Sequence, residues 1–171
     1  MSWLDATESR ALVRLQLTVA RPPVTSAAHV LSSAGEHSWL WLALAAAGMV
    51  VDRRRKWRWA EVGTSAVVAH GAAVVLKRVV RRQRPQSPGL RVLDATASRL
   101  SFPSAHAAST TAAALSAAPL VGARIAAPVP VAMAAARLVL GVHYPTDVAA
   151  GALLGAAGAG AVRRLSRGRS A

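Results

Sequence analysis

The sequence contains no cysteine. That removes disulfide scaffolds, thiolate zinc sites and cysteine nucleophiles in one step, and it leaves histidine and carboxylate chemistry. Negative charge is scarce: seven acidic side chains stand against 21 basic ones, a formal net charge of +14. Lysine is scarce too, Lys56 and Lys77 being the only two. Charged residues together make up 16% of the chain, against roughly 25% in soluble domains. Hydrophobic residues reach 53%, which excludes intrinsic disorder and fits ordinary water-soluble packing poorly. An uninterrupted apolar run is missing near the start, where Asp5, Glu8, Arg10 and Arg14 break up Met1 to Ala20. No signal peptide is therefore expected, and any membrane insertion would use retained segments.

What is present is one domain's length, residues 1–171, carrying five apolar stretches at about 38–51, 59–76, 105–121, 125–141 and 147–162. Each lies near the lower limit for a membrane span, about 17 residues. The expected fold is all-α, a multi-span transmembrane bundle of about five or six helices. Small residues dominate the stretches, and Gly151 and Gly155 form a G-x-x-x-G pair with Gly158 nearby, which suits close helix packing. An Ala-rich soluble bundle is the alternative, but its helices would need polar faces that are nearly absent. Trp39, Trp41, Trp57 and Trp59 sit at the ends of the first two stretches, where an interfacial aromatic belt would lie. Ahead of them, residues 1–35 read as an amphipathic, interfacial or re-entrant segment. There Leu12, Leu15 and Val19 oppose Arg10 and Arg14, which suits either the membrane interface or a surface helix packed on the rest.

Orientation follows from the basic loops. If Arg53, Arg54, Arg55, Lys56 and Arg58 are cytoplasmic, so is the tail 163–171 with Arg163, Arg164, Arg167 and Arg169, and Lys77 to Pro103 lies outside. That outer loop is also basic, with Arg78, Arg81, Arg82, Arg84, Arg91 and Arg99, and phosphate binding would account for its charge.

Several residues there could carry chemistry. Lys77 and Arg84 are two helical turns apart, on nearly one face, with Pro85 ending the helix. Two cations would converge there, although lipid headgroups could equally engage such a run. Pro103 suits the first turn of a helix whose amide groups near Ser104, Ala105 and His106 would bind an anion. Arg137 lies inside an apolar helix and needs an anionic partner unless it snorkels to the headgroups. Pro145 opens another helix, where Asp147 could hold one nitrogen of His143 as N–H and free the other for attack. The alternation of spans brings Lys77, Ser104, His143 and Asp147 to one membrane face, a site for a phosphoryl group. His29, His37, His70, Asp94 and Glu61 receive no role.

The order K-x6-R-P at Lys77 to Pro85, P-S-x-H at Pro103 to His106 and R-x5-H-x3-D at Arg137 to Asp147 resembles the type 2 phosphatidic acid phosphatase (PAP2) superfamily. The resemblance implies a membrane lipid phosphatase in which His143 attacks phosphorus to form a phosphohistidine, Asp147 orients His143, and His106 protonates the leaving alcohol. It implies that Lys77, Arg84, Ser104, Ala105 and Arg137 hold the phosphoryl oxygens, with no metal and no cofactor. Two positions depart from the usual pattern: Ala105 replaces a common Gly, and Ala136 replaces a Ser that would add a hydrogen bond to phosphate. The motifs are also similar to those of vanadium-dependent haloperoxidases and soluble acid phosphatases, whose water-soluble folds the apolar stretches oppose. The small size and Arg-rich composition look like the short actinomycete members acting on polyprenyl-linked sugar phosphates. This implies a lipid phosphate partner such as decaprenylphosphoryl-5-phosphoribose, with polyprenyl diphosphate and phosphatidylglycerophosphate as competitors.

Two readings from other classes compete. A charge of +14 would suit a nucleic-acid partner, but no such motif is present and the apolar stretches oppose it, so none is expected. A non-catalytic membrane scaffold would leave the full set of motif side chains unexplained. The expected setting is the bilayer of the cell membrane, with the site at the extracytoplasmic face. The G-x-x-x-G pair would serve packing within one chain as well as between two, so oligomeric state stays open.

Overall fold

Alanine is the strongest helix former, and the Ala-rich stretches become helices whose ends fall at glycine, proline or polar residues. The computed structural model describes residues 3–96 and 98–167; Arg169 and the side chain of His37 lie outside the described residues. The chain forms α1 (Trp3–Val19), α2 (Pro22–Ala34), α3 (Trp39–Val51), α4 (Lys56–Val80), α5 (Ala105–Val121), a single turn α6 (Ala123–Ala126), α7 (Pro128–Val139) and α8 (Pro145–Arg167). Among the described residues the only bridge of β type joins Gln83 to Leu100, within the long loop between α4 and α5. The all-α expectation holds.

The centre of the bundle is α4, α5 and α8, with α3 along α4 and α7 reaching both α5 and α2. Its interior is built of small residues, Ala69, Ala73, Ala105, Ala108, Ala112 and Ala159. Gly151 and Gly155 make this possible. A Cβ added at Gly151 would collide with the Ser104 carbonyl oxygen, and one at Gly155 with the Ala108 carbonyl oxygen. The G-x-x-x-G pair therefore serves packing within the chain, seating α8 on α5 at backbone distance.

Many large apolar side chains lie on the outside, where Val75, Val79, Ile125, Val131, Leu153 and Leu165 are exposed. A water-soluble bundle distributes them the other way. Two segments, Arg53–Val80 and Pro145–Arg167, are long and apolar enough to cross a membrane, while Trp39–Val51 is apolar but shorter. Lys77 is in the last turn of α4 and Asp147 in the first turn of α8. The basic groups Arg53 to Arg58 and Arg163 to Arg167 therefore share the opposite end of these two helices.

Some local expectations are corrected. Helix α4 does not run to Pro85: it stops at Val80, where Arg81 takes the left-handed conformation (φ 56°) and its N–H caps Lys77 O. Lys77 and Arg84 thus share no helix face. Helix α5 starts at Ala105 with Ser104 as its cap, so Pro103 precedes the first turn. Helix α7 ends at Val139 and turns at Gly141 (φ 69°), so Arg137 and His143 are not on one helix. The tryptophan belt is half a belt. Residues two apart on a helix point in nearly opposite directions, so Trp39 and Trp57 are exposed while Trp41 is buried and Trp59 packs beside it in the core. The buried face of α1 is Glu8, Ser9, Leu12 and Gln16, mostly polar, with Leu15 and Val19 at its margin.

Replacing Gly155 by Val should lower stability by about 1–3 kcal/mol through overpacking, read as a fall in thermal midpoint in detergent. The same change at Gly160, where an added Cβ meets nothing within 4 Å, should cost much less.

Candidate active site

At one end of the bundle, the last turn of α4, the 81–104 loop, the start of α5, the end of α7 and the 140–144 turn enclose a cavity of about 290 Å³. Lys77, Arg84, Ala105, His106, Arg137 and His143 line it. These elements come from positions far apart in the chain and bring the motif residues together at one end of the bundle. Asp147 and Ser104 stand directly behind the wall, both fully buried.

His143 sits in the turn ahead of α8 and is 2% exposed. Its Nδ1 lies 3.6 Å from Asp147 Oδ2, and its Nε2 lies 3.3 Å from Arg84 Nη1. A guanidinium only donates and a carboxylate only accepts. The tautomer that suits both neighbours carries the proton on Nδ1 and leaves the Nε2 lone pair in the cavity. Burial, and then the charges of Arg84, Arg137 and Lys77, hold this imidazole well below its ordinary pKa. It is neutral at neutral pH.

Asp147 anchors this arrangement through both oxygens. Its Oδ2 accepts the Tyr144 N–H at 2.8 Å and its Oδ1 accepts Arg82 Nη1 at 2.9 Å. Its backbone carbonyl accepts the Ser104 N–H at 2.9 Å, joining the starts of α8 and α5. Ser104 is consequently committed: its N–H goes to Asp147, and its Oγ accepts the Ala107 N–H at 3.3 Å. The first-turn amides left to face an anion are those of Ala105 and His106, both at the cavity wall.

Arg84 is held by the loop, its Nε donating to Ser98 O at 2.7 Å and its Nη1 to Val142 O at 2.6 Å. Burial, and then the nearby Arg137 charge, lower its pKa to about 10, which still leaves it charged at neutral pH. Lys77 Nζ donates to Ser101 O at 2.9 Å and to Leu100 O at 3.3 Å, so it ties down the end of the loop while facing the cavity. His106 Nε2 lies 3.1 Å from the Ser32 carbonyl of α2. A carbonyl only accepts, so this nitrogen carries its proton.

Arg137 does not snorkel. It is 2% exposed and pairs with Asp94 Oδ2 at 3.0 Å; it also donates to Ser32 Oγ. Ser32 in turn donates to Asp94 at 2.7 Å. The absence of a role for Asp94 is thus corrected, since it neutralises a buried cation. His70 also lines the cavity, and His29 lies 3.8 Å from Asp94. Ala136 packs among Ala28, Val139 and Leu140 in an apolar cluster. Glu61 pairs with Arg58 away from the site.

A second missed group is Arg82, which ties Asp147 to Asp5 and Glu8 of α1. The expectation that the outer-loop arginines as a set bind phosphate fails for this one. The signal that could have found both pairings is the scarcity of acids. With seven in the chain, a buried cation must draw its partner from a very short list.

Residues 58–170 match the PAP2 superfamily. A protein of Mycolicibacterium smegmatis named decaprenylphosphoryl-5-phosphoribose phosphatase is 53% identical over 145 residues, 84% of this chain and 81% of that protein. A Mycobacterium tuberculosis protein (strain ATCC 25618 / H37Rv) of the same name is 48% identical over 155 residues, covering 88% and 85%. In three dimensions the chain resembles a transmembrane PAP2-type phosphatidylglycerolphosphate phosphatase of Bacillus subtilis, with a TM-score of 0.79 at 20% identity over 98% of this chain and 88% of that one. That likeness is one of fold. The family match covers more than half the chain and includes every residue of the cavity's cation and imidazole set, so the chain belongs to the PAP2 superfamily of phosphatases.

Proposed function

We propose that this protein is a multi-pass membrane phosphatase that removes a terminal phosphate from a polyprenyl-linked 5-phosphoribose. The carrying observation is the orientation of His143, with Nδ1 toward Asp147 and an unprotonated Nε2 beside Arg84 in a cavity also lined by Lys77 and Arg137. In this reading, His143 Nε2 attacks phosphorus and forms a P–N bond as the P–O bond to the ribose oxygen breaks. His106, as the imidazolium with Nε2–H held by the Ser32 carbonyl, gives its Nδ1 proton to the departing oxygen. A water then attacks phosphorus, His106 takes a proton from it, and the P–N bond breaks to release inorganic phosphate. Lys77, Arg84 and Arg137, with the amides of Ala105 and His106, hold the phosphoryl oxygens. Such preorganised donors stabilise charge as it develops. Ser104 contributes by capping α5 and so aiming those amides.

The bilayer reading rests on the outward apolar side chains and on the two basic groups sharing the end opposite the cavity. By the positive-inside rule those groups are cytoplasmic and the cavity faces the extracytoplasmic side. The substrate reading rests on the names of the relatives at 48% and 53% identity. A lipid-linked substrate could present its phosphate to the cavity while its chain stays in the membrane.

Phosphate release should be measured on detergent-purified protein in EDTA, with a polyprenyl-linked 5-phosphoribose, a polyprenyl diphosphate and a phosphatidylglycerophosphate. The phosphoribose should turn over fastest. His143→Ala should reduce turnover by roughly 1,000-fold or more, and His106→Ala by roughly 100-fold or more. Full activity in His143→Ala, or loss of activity in EDTA, would sink the mechanism and reopen the scaffold reading.

Asp94 competes with any phosphate for Arg137. Asp94→Asn should therefore bind orthovanadate more tightly, by roughly fivefold for the loss of about 1 kcal/mol of competing charge. Inhibition constants compared with the parent protein give the test, and equal or weaker binding would refute it.

A further inference from the structure

Helix α1 lies outside the matched family region, which begins at residue 58, yet it is wired into the site by buried charge. Glu8 is 7% exposed. Its Oε1 accepts the Thr146 N–H at 2.7 Å, and its Oε2 accepts Thr146 Oγ1 at 2.9 Å and Arg82 Nη2 at 2.7 Å. Asp5 accepts Arg82 Nη2 at 2.6 Å and Nε at 3.1 Å. The other end of the same guanidinium, Nη1, reaches Thr146 Oγ1 at 2.7 Å and Asp147 Oδ1 at 2.9 Å. Its plane lies over the Tyr144 ring, 4.0 Å from the centroid.

We infer that Glu8 and Arg82 are positioning residues for the phosphoryl-transfer step, setting from α1 the orientation of Asp147 and, through it, of His143. The inference rests on the roles given to His143 and Asp147 above. The geometry is specific to a guanidinium, because one planar group must serve two carboxylates of α1 on one side and the start of α8 on the other. Burial opposes the charge of Arg82, but its hydrogen bonds to Glu8 and Asp5 and the nearby Asp147 more than offset it and raise its pKa. The cation is permanent. Glu8 also takes the Thr146 amide in the first turn of α8, one residue before Asp147, so it controls the backbone that carries the carboxylate. Neither residue lines the cavity. Their effect must reach the reaction through His143, and a shift of about 1 Å at such a distance can cost roughly 100-fold in rate.

The test compares Glu8→Ala, Glu8→Gln and Arg82→Lys with the parent protein and with His143→Ala. Each is purified in detergent and assayed for kcat and KM on a farnesyl-linked 5-phosphoribose, with thermal midpoints recorded alongside. Glu8→Ala and Arg82→Lys should lower kcat by roughly 10- to 100-fold with KM within about twofold. Glu8→Gln keeps a carbonyl for the Thr146 amide but turns an NH2 group toward Arg82, and should recover part of the loss. For Arg82→Ala, added guanidinium should restore part of kcat. Parent-level kcat in the folded Glu8 and Arg82 variants would overturn the inference, even if their midpoints fall, and so would a rise in KM at constant kcat. If instead His143→Ala itself retains activity, the failure belongs to the underlying mechanism. Should Arg82→Lys not fold, Glu8→Gln against Glu8→Ala decides the matter.

Discussion

The buried carboxylate of Asp147 is the constraint on which the site depends. A charge with no exposure carries a desolvation cost of several kcal/mol, and the chain offsets it from three directions. Arg82 comes from the loop after α4, the Tyr144 amide from the turn just before α8, and the edge of His143 closes the third side. Arg82 belongs to the loop after α4, whereas His143 and Tyr144 belong to the turn before α8. Satisfying one carboxylate therefore fixes the loop, the turn and the imidazole relative to one another, and the lone pair of His143 Nε2 is aimed as a by-product.

That arrangement needs the starts of α5 and α8 to be close, which is the work of Gly151 and Gly155. Without side chains there, the α8 backbone reaches the carbonyls of Ser104 and Ala108, and the Ser104 amide can bond to Asp147 O. The same small-residue interior explains the inverted surface. Where α4, α5 and α8 meet through alanine and glycine, large residues such as Val75, Val79, Leu153 and Leu165 turn outward, which is tenable where the surroundings are themselves apolar.

Much of this was legible in the sequence. The five apolar stretches correspond to α3, α4, α5, α7 and α8, and the three motifs do meet at one end of the bundle. The continuous helix that spacing predicts from Lys77 to Arg84 does not form, although the side chains still converge. Helix ends are set by local backbone geometry, here a left-handed Arg81 and Gly141, and apolar periodicity does not report it. Loop contacts such as Arg84 with Ser98 and Val142 replace the helix face that spacing implied. Pairings across the fold were the least legible. Nothing in spacing connects Asp94 to Arg137 or Glu8 to Thr146, and only the count of acids hinted that such pairs must exist.

That count also explains how a strongly basic chain can keep cations at the cavity without acidic partners. Asp5 and Glu8 are engaged by Arg82, Asp52 by Arg55, Glu61 by Arg58 and Asp94 by Arg137. Among the described residues, Lys77 and Arg84 are bound at the cavity through backbone carbonyls, which fix position without neutralising charge. A carbonyl holds a cation still and leaves its field intact, whereas a carboxylate would cancel it. The division between Arg82 and Arg84, two residues apart in the chain, follows this rule. The arginine that shapes the fold has acidic partners, and the one that faces the cavity has neutral ones.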